Sequence, residues 1–194
     1  PGPGTAFGQP RRGTDQQLVS AAVACGKSLA AALGAYLCFE DEAGATRRPP
    51  RAKTWARRGQ RPTVRISMGG SGRVSIAGLV CLRPGEAGRV FYRTRTHHGR
   101  RGERRSLSET DYIGLLDRAH QRLRAPLVVV WDGVNTHTSA RMRQLIAARP
   151  WLTVIRLPAG APELNPTEGI WSQLKAGLAN LVRAHNIYLQ TLVD

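Results

Sequence analysis

Three acidic residues of this chain stand where carboxylates could do chemistry: Asp41 closing the run "AYLCFED", Asp132 closing "LVVVWD", and Glu168 in the first turn of "NPTEGIWSQLKAGLANLV". In α/β sheets, ligands bind beyond the carboxyl ends of the strands, so two aspartates ending neighbouring parallel strands would converge there. A glutamate from a nearby helix would close the cluster. Three carboxylates drawn together repel one another unless a cation holds them, and oxygen ligands without a His or Cys partner suit Mg²⁺ or Mn²⁺ better than zinc. Such a site supports two-metal phosphoryl transfer, with ions about 3.5–4 Å apart, one activating the attacking oxygen and the other steadying the leaving oxygen. Each acid also has an ordinary structural use. Asp132 with Gly133 can be a turn, Glu168 can stabilise a helix dipole, and Asp41, between Glu40 and Glu42, can be one of three solvated charges. Spacing and composition leave both readings open.

The charge balance bears on the substrate. Lys and Arg number 29 against 13 Asp and Glu, for a formal net charge of +16 and an isoelectric point near 11.4. Such a surplus repels itself unless a polyanion relieves it, so nucleic acid is the expected partner class. GC-rich coding DNA would give the same arginine bias, since only Lys27, Lys53 and Lys175 are lysine. The densest basic segment holds Arg47, Arg48, Arg51, Lys53, Arg57, Arg58 and Arg61, and a second holds Arg100, Arg101, Arg104 and Arg105. They read as phosphate contacts, carrying affinity rather than sequence choice, or as solvated charged loops. Trp55 either stacks on a base or plugs an edge of the core. His137, five residues past Asp132, meets DNA or a water, or else caps a loop, while His97 and His98 belong to the basic run. Glu40 and Glu42 alternate away from Asp41 along a strand and read as solvated or salt-bridged rather than as ligands.

The elements that must position these groups follow from pattern. Residues 1–14 are a loose Gly/Pro leader, and 15–35 are Ala/Leu-rich, giving one helix interrupted or frayed near Gly26; residues 1–35 thus precede a domain over 36–194. "AYLCFEDE" reads as a buried strand, 46–62 as a basic loop or edge excursion, and "TVRISMGG", "RVSIAGLVCL" and "RVFYRTRT" as antiparallel strands joined by turns. Residues 97–105 read as a mobile loop. Ser108 then caps a helix with Asp111 three residues on. "PLVVVWD", apolar on both sides, reads as a central strand. "SARMRQLIAARP" is a helix, "WLTVIRLPA" the last strand, and Pro166 sits in the first turn of the last helix. The order predicts one mixed α/β sheet, antiparallel strands first, with helices on both faces. Cys25, Cys38 and Cys81, odd in number and without a CxxC pair, fit reduced thiols of a cytoplasmic protein. No apolar run approaches membrane-spanning length, so no membrane partner is expected.

"PAGAPELNPTEGIWSQLK", 158–175, resembles the transposases of the mariner superfamily, in particular their bacterial insertion-sequence branch, where a "P…PELNP.E..W..LK" segment surrounds the third catalytic acid. "CFEDEAG" resembles the family's first acidic strand, and "LVVVWDGVNTHTS" its second, with Asn135 and His137 also in the pattern. The 35 residues between Asp132 and Glu168 match the usual separation, and "KTWARRGQRP" is similar to the segment that follows the first acid. The likeness runs over roughly residues 36–182. It implies an RNase H-like fold whose Asp41, Asp132 and Glu168 form an Asp-Asp-Glu triad binding two Mg²⁺ ions, or Mn²⁺, with Lys175 among the DNA-binding residues. The implied reaction is nicking at the ends of a mobile DNA element, then attack of the freed 3′-hydroxyl on target DNA, by a homodimer pairing two ends. Gly133 departs from the Asn that often follows the second aspartate, and residues 1–35 lack the helix-turn-helix modules of full-length members. A truncated remnant that binds DNA without catalysis, and a nuclease that only hydrolyses, are the alternative readings.

Overall fold

The strands are β1 (Tyr36–Thr46), β2 (Arg73–Leu82), β3 (Arg89–His97), β4 (Leu127–Trp131) and β5 (Leu152–Arg156). They stand in the order β3-β2-β1-β4-β5, with β1, β2 and β3 antiparallel in turn and β4 and β5 parallel to β1. This is the expected mixed sheet with its antiparallel strands first. The computed structural model describes residues 12–46, 57–60, 73–104, 106–132, 135–157 and 167–177. The strand expected over "TVRISMGG" lies outside them, as do Arg47, Arg48, Arg51, Lys53, Trp55, Arg61, Arg105 and Gly133.

Strict alternation along β1 and β4 feeds two cores. Tyr36, Cys38, Leu127, Val129 and Trp131 point into one, where α2 (Glu109–Leu123) supplies Tyr112, Leu115 and Leu116 and α4 (Ala140–Ala147) supplies Met142. Leu37, Phe39, Val128 and Val130 point into the other, beneath Ala30 of α1 (Arg12–Leu33). Every residue of β4 is buried, as its uninterrupted apolar run requires of a strand covered on both faces. The middle of the sheet is β1, with β4 beside it. Cys25, Cys38 and Cys81 are free thiols.

Helix α1 runs unbroken through Gly26, contrary to the expected interruption. The reason is packing. A Cβ at Gly26 would stand 3.1 Å from Leu37 Cδ1 and 3.4 Å from Ile155 Cδ1, so the missing side chain lets the helix settle onto the sheet. The loop over 97–105, expected to be mobile, is organised around Glu103. Its carboxylate accepts from the backbone N–H groups of His98 (2.8 Å) and Arg100 (3.1 Å). His97 lies buried 3.6 Å from Glu103, so it belongs to this turn rather than to a solvated basic run.

Helix α2 begins as its sequence indicates. Ser108 and Asp111 form a reciprocal capping box, and the Asp111 carboxylate also takes bonds from Arg93 Nε (3.0 Å) and Arg95 Nη2 (2.6 Å) of β3. Burial alone would raise the Asp111 carboxyl, but the Ser108 and Arg95 hydrogen bonds outweigh it and hold it at about 2. The folded value lies below the unfolded one, so the stabilisation is present above the unfolded value and is lost as pH falls through the folded value. Asp111→Asn is therefore expected to cost about 2 kcal/mol at neutral pH. In urea titrations at stepped pH, its gap from wild type should close between about pH 4 and about pH 2.

Candidate active site

The parallel register of β1 and β4 brings the first two acids together. The pairing of β1 with β4 runs from Tyr36 beside Leu127 to Phe39 beside Val130, and Asp41 and Asp132 each follow two residues beyond its last pair. Asp132 directly follows the last residue of β4, whereas Asp41, expected to end its strand, lies in the middle of β1, which stays paired with β2 as far as Thr46. Asp132 is open to solvent, its side chain 53% exposed, as a ligand-binding group must be.

Helix α5 (Thr167–Gly177) delivers the third acid and is fastened to the same strand. Thr167 Oγ1 donates to the Phe39 carbonyl (3.2 Å), and Trp171 Nε1 donates to Asp41 Oδ2 (2.9 Å). The Asp41 carboxylate also accepts the Glu42 backbone N–H at 2.9 Å. Glu168 follows Thr167 directly, in the first turn of this anchored helix. Trp171 reaches Asp41 because Gly78 of β2, opposite Asp41, has no side chain. A Cβ there would lie 2.7 Å from Trp171 Cη2 and 2.8 Å from Cζ2. Trp171 thus packs on the sheet and also orients an acid, a role its position one turn past Glu168 did not disclose.

Asp132 is held from the other side by His137, on the short helix α3 (Asn135–Thr138). The imidazole is buried, stacked on Trp131 (4.3 Å between centroids, 5° between planes) and edge-on to Tyr112 (4.7 Å). Its Nδ1 lies 3.0 Å from Asp132 Oδ1. Its Nε2 lies 3.3 Å from Glu40 Oε2, within ion-pair distance but without hydrogen-bond geometry. Of the two sequence readings of His137, neither a DNA contact nor a loop cap describes it: it ties an exposed aspartate to a buried glutamate.

Glu40 is 2% exposed, which corrects its reading as a solvated charge. It does point away from Asp41, but in a central strand that direction leads into the α2 layer instead of water. Burial pushes its carboxyl well above the usual range, and the charges of Asp132, Asp41 and Glu42 push it further. Both causes act in the same direction, favouring the neutral form of this inner carboxyl. Glu42 accepts the Tyr112 hydroxyl at 2.6 Å.

Arg57 and Arg58 lie in an exposed turn, and Arg100 and Arg101 in another. Arg104 sits 3.7 Å from Glu109. Lys175 is on α5, with its side chain outside the description, as is that of Glu168. Among the described residues no group of three or more His, Cys, Asp or Glu is arranged to hold a metal ion. The donor chemistry at Asp41 and Asp132 nevertheless suits a hard divalent cation: two carboxylates, each oriented by a neighbouring N–H donor or ring nitrogen.

A family model described as DDE superfamily endonuclease matches residues 36–187. No curated protein matches the chain. Among solved structures, the Mos1 transposase paired-end complex with left transposon end aligns with a TM-score of 0.65 at 17% identity, covering 100% of this chain and 56% of that one. The Mos1 mariner paired-end complex with Mg gives 0.62 at 16% identity, over 100% and 57% of the two chains. The catalytic domain of Mos1 mariner transposase gives 0.56 at 14% identity, over 96% of this chain and 82% of that domain. The likeness carries the fold, the RNase H-like sheet expected from the sequence; this chain spans little more than half, 56%, of the first of these transposase chains.

The Gly78 notch can be tested directly. Gly78→Ala should push the indole off β2, destabilise the fold by about 1–3 kcal/mol and red-shift tryptophan emission as Trp171 leaves its buried seat. An unshifted spectrum with unchanged stability would show that the notch does not seat the ring.

Proposed function

Since this chain belongs to the DDE superfamily endonucleases, we propose that it is the catalytic domain of a transposase of the bacterial insertion-sequence branch, cutting phosphodiester bonds at mobile-element ends and joining the 3′-hydroxyl to target DNA. The observation that supports this reading is that Asp41 and Asp132 each follow two residues beyond the last pair of the parallel strands β1 and β4, with the Glu168 helix pinned to β1. Asp41, Asp132 and Glu168 would ligate two divalent cations; Mos1 complexes containing Mg and Mn support Mg²⁺ or Mn²⁺. Bound there, the ions would supply an activated attacking oxygen and charge neutralisation at the leaving oxygen.

The chain's own residues do the rest. Trp171 orients Asp41, and His137 orients Asp132. The exposed arginines Arg57, Arg58, Arg100 and Arg101, with Arg47, Arg48, Arg51, Lys53, Arg61 and Lys175, would hold backbone phosphates. Two copies pairing two element ends complete the proposed assembly.

The second reading, a remnant that binds DNA without cutting it, is favoured only by Gly133 standing where the family often has Asn. Nicking and joining of element-end duplex, measured with Mg²⁺ and again with excess EDTA, separates the two. The wild-type chain should cut only with metal, and Asp132→Ala should abolish cutting; cleavage at the wild-type rate by Asp132→Ala would sink the catalytic reading. His137→Ala, which leaves every proposed ligand in place, should slow cutting by about 10–100-fold. Salt-sensitive DNA binding without cleavage under any metal would establish the remnant, and cleavage without a joined product would establish a nuclease.

A further inference from the structure

Four arginines gather away from the aspartates, between β3 and α2. The groove there, about 860 Å³, is lined by Arg89, Phe91, Arg93, Arg118 and Arg122 over Tyr36. Its construction is periodic. On α2, Asp111, Gly114, Arg118 and Arg122 recur at helical spacing and form one stripe. On β3, Arg89, Phe91 and Arg93 face that stripe, because their partners Cys81, Leu79 and Ala77 belong to the core under α2. Arg93 is fixed at one end: Asp111 holds its Nε, and a Cβ at Gly114 would stand only 3.0 Å from its Nη1.

Further along, the positive charge is uncompensated. Among the described residues no carboxylate pairs with Arg89, Arg118 or Arg122. The nearest acids are committed elsewhere. Asp117 forms a two-pronged pair with Arg149 (2.6 and 2.8 Å), and Glu86 is taken by Arg83 and by the Tyr36 hydroxyl.

Spacing selects the ligand class. Arg118 and Arg122 are about 6 Å apart along the helix axis, and Arg89 and Arg93 about 13 Å apart along the strand. Donors spread over such a length do not converge on one small anion; they match a row of phosphates. Phe91 is half-buried and Tyr36 buried, and the exposed ring of the lining, Tyr92, alternates with Phe91 and Arg93 to the other face of β3, so the floor itself offers no open ring for stacking an unpaired base, which favours duplex over single strand. The groove lies on the α2 side of the sheet, whereas Asp41 meets Trp171 on the opposite side.

The geometry points to a second DNA-binding surface: the β3–α2 groove grips, through phosphates and without sequence choice, a duplex segment other than the one presented to the aspartates. This rests on the reading of DNA as substrate, yet its test is separate from catalysis. Binding of a labelled random-sequence duplex is followed by fluorescence anisotropy in EDTA across a salt series. Arg118→Glu and Arg122→Glu should each weaken binding about tenfold and each lower the salt slope by about 0.9. Lys27→Glu, the same charge change on exposed α1 across the sheet, should do neither. Arg118→Ala and Arg122→Ala repeat the measurement if a charge reversal unfolds the chain, as checked by circular dichroism melting. Groove variants no weaker than Lys27→Glu, or tighter binding of single strands than of duplex, would overturn the inference. If no variant ever cuts DNA but the groove variants still lose binding, the catalytic reading fails and the groove stands.

Discussion

The parallel pairing of β1 with β4 is the constraint on which the site depends. Once Phe39 lies beside Val130, Asp41 and Asp132 each follow two residues on, and like charges brought near one another repel. Much of the surrounding structure answers that repulsion. An indole N–H fixes one carboxylate, and an imidazole nitrogen meets the other, while burial of Glu40 favours its neutral form. The basic surplus of the whole chain lowers the cost further by making the environment positive.

What could be read from the sequence was local. An apolar run ending in an acid marked Asp41 and Asp132, the Ser108 and Asp111 spacing marked a capped helix, and the antiparallel-then-parallel order of strands followed from the turn signals. The features that escaped it depend on which strand lies in the middle. Glu40 looked solvated because alternation gives a direction but not what lies in that direction; only the order β3-β2-β1-β4-β5 makes it interior. Gly78 and Trp171 are distant in sequence, and nothing in either neighbourhood announces that one is shaped for the other. Gly26 looked like a helix break because propensity was considered without the packing that a missing Cβ permits. Glu103 was hidden among arginines, although it organises the turn they occupy.

The two faces of the sheet divide the electrostatic labour. On the α5 side an indole and a threonine hydroxyl spend their hydrogen bonds on β1, fixing the angle at which the last helix meets the first strand. On the α2 side the polar groups are larger in number and more deeply placed: His137 between Trp131 and Tyr112, Glu42 under the Tyr112 hydroxyl, Asp111 under two arginines. Buried polar groups joined in this way favour one arrangement of the layer over its near alternatives, because each misplacement strands a donor or an acceptor away from water.

The alternation of Glu40, Asp41 and Glu42 along β1 also makes the protein sensitive to how its first hairpin zips up. A slip of one residue against β2 would turn every side chain of β1 to the opposite face. Asp41 would then be driven into the α2 core and Glu40 would take its place at the rim, while Gly78 would no longer face the residue that Trp171 seeks. Such a misregistered chain would present a glutamate where an aspartate belongs. Fidelity of strand pairing during folding, before any DNA or cation is met, is therefore part of what determines how many molecules emerge competent.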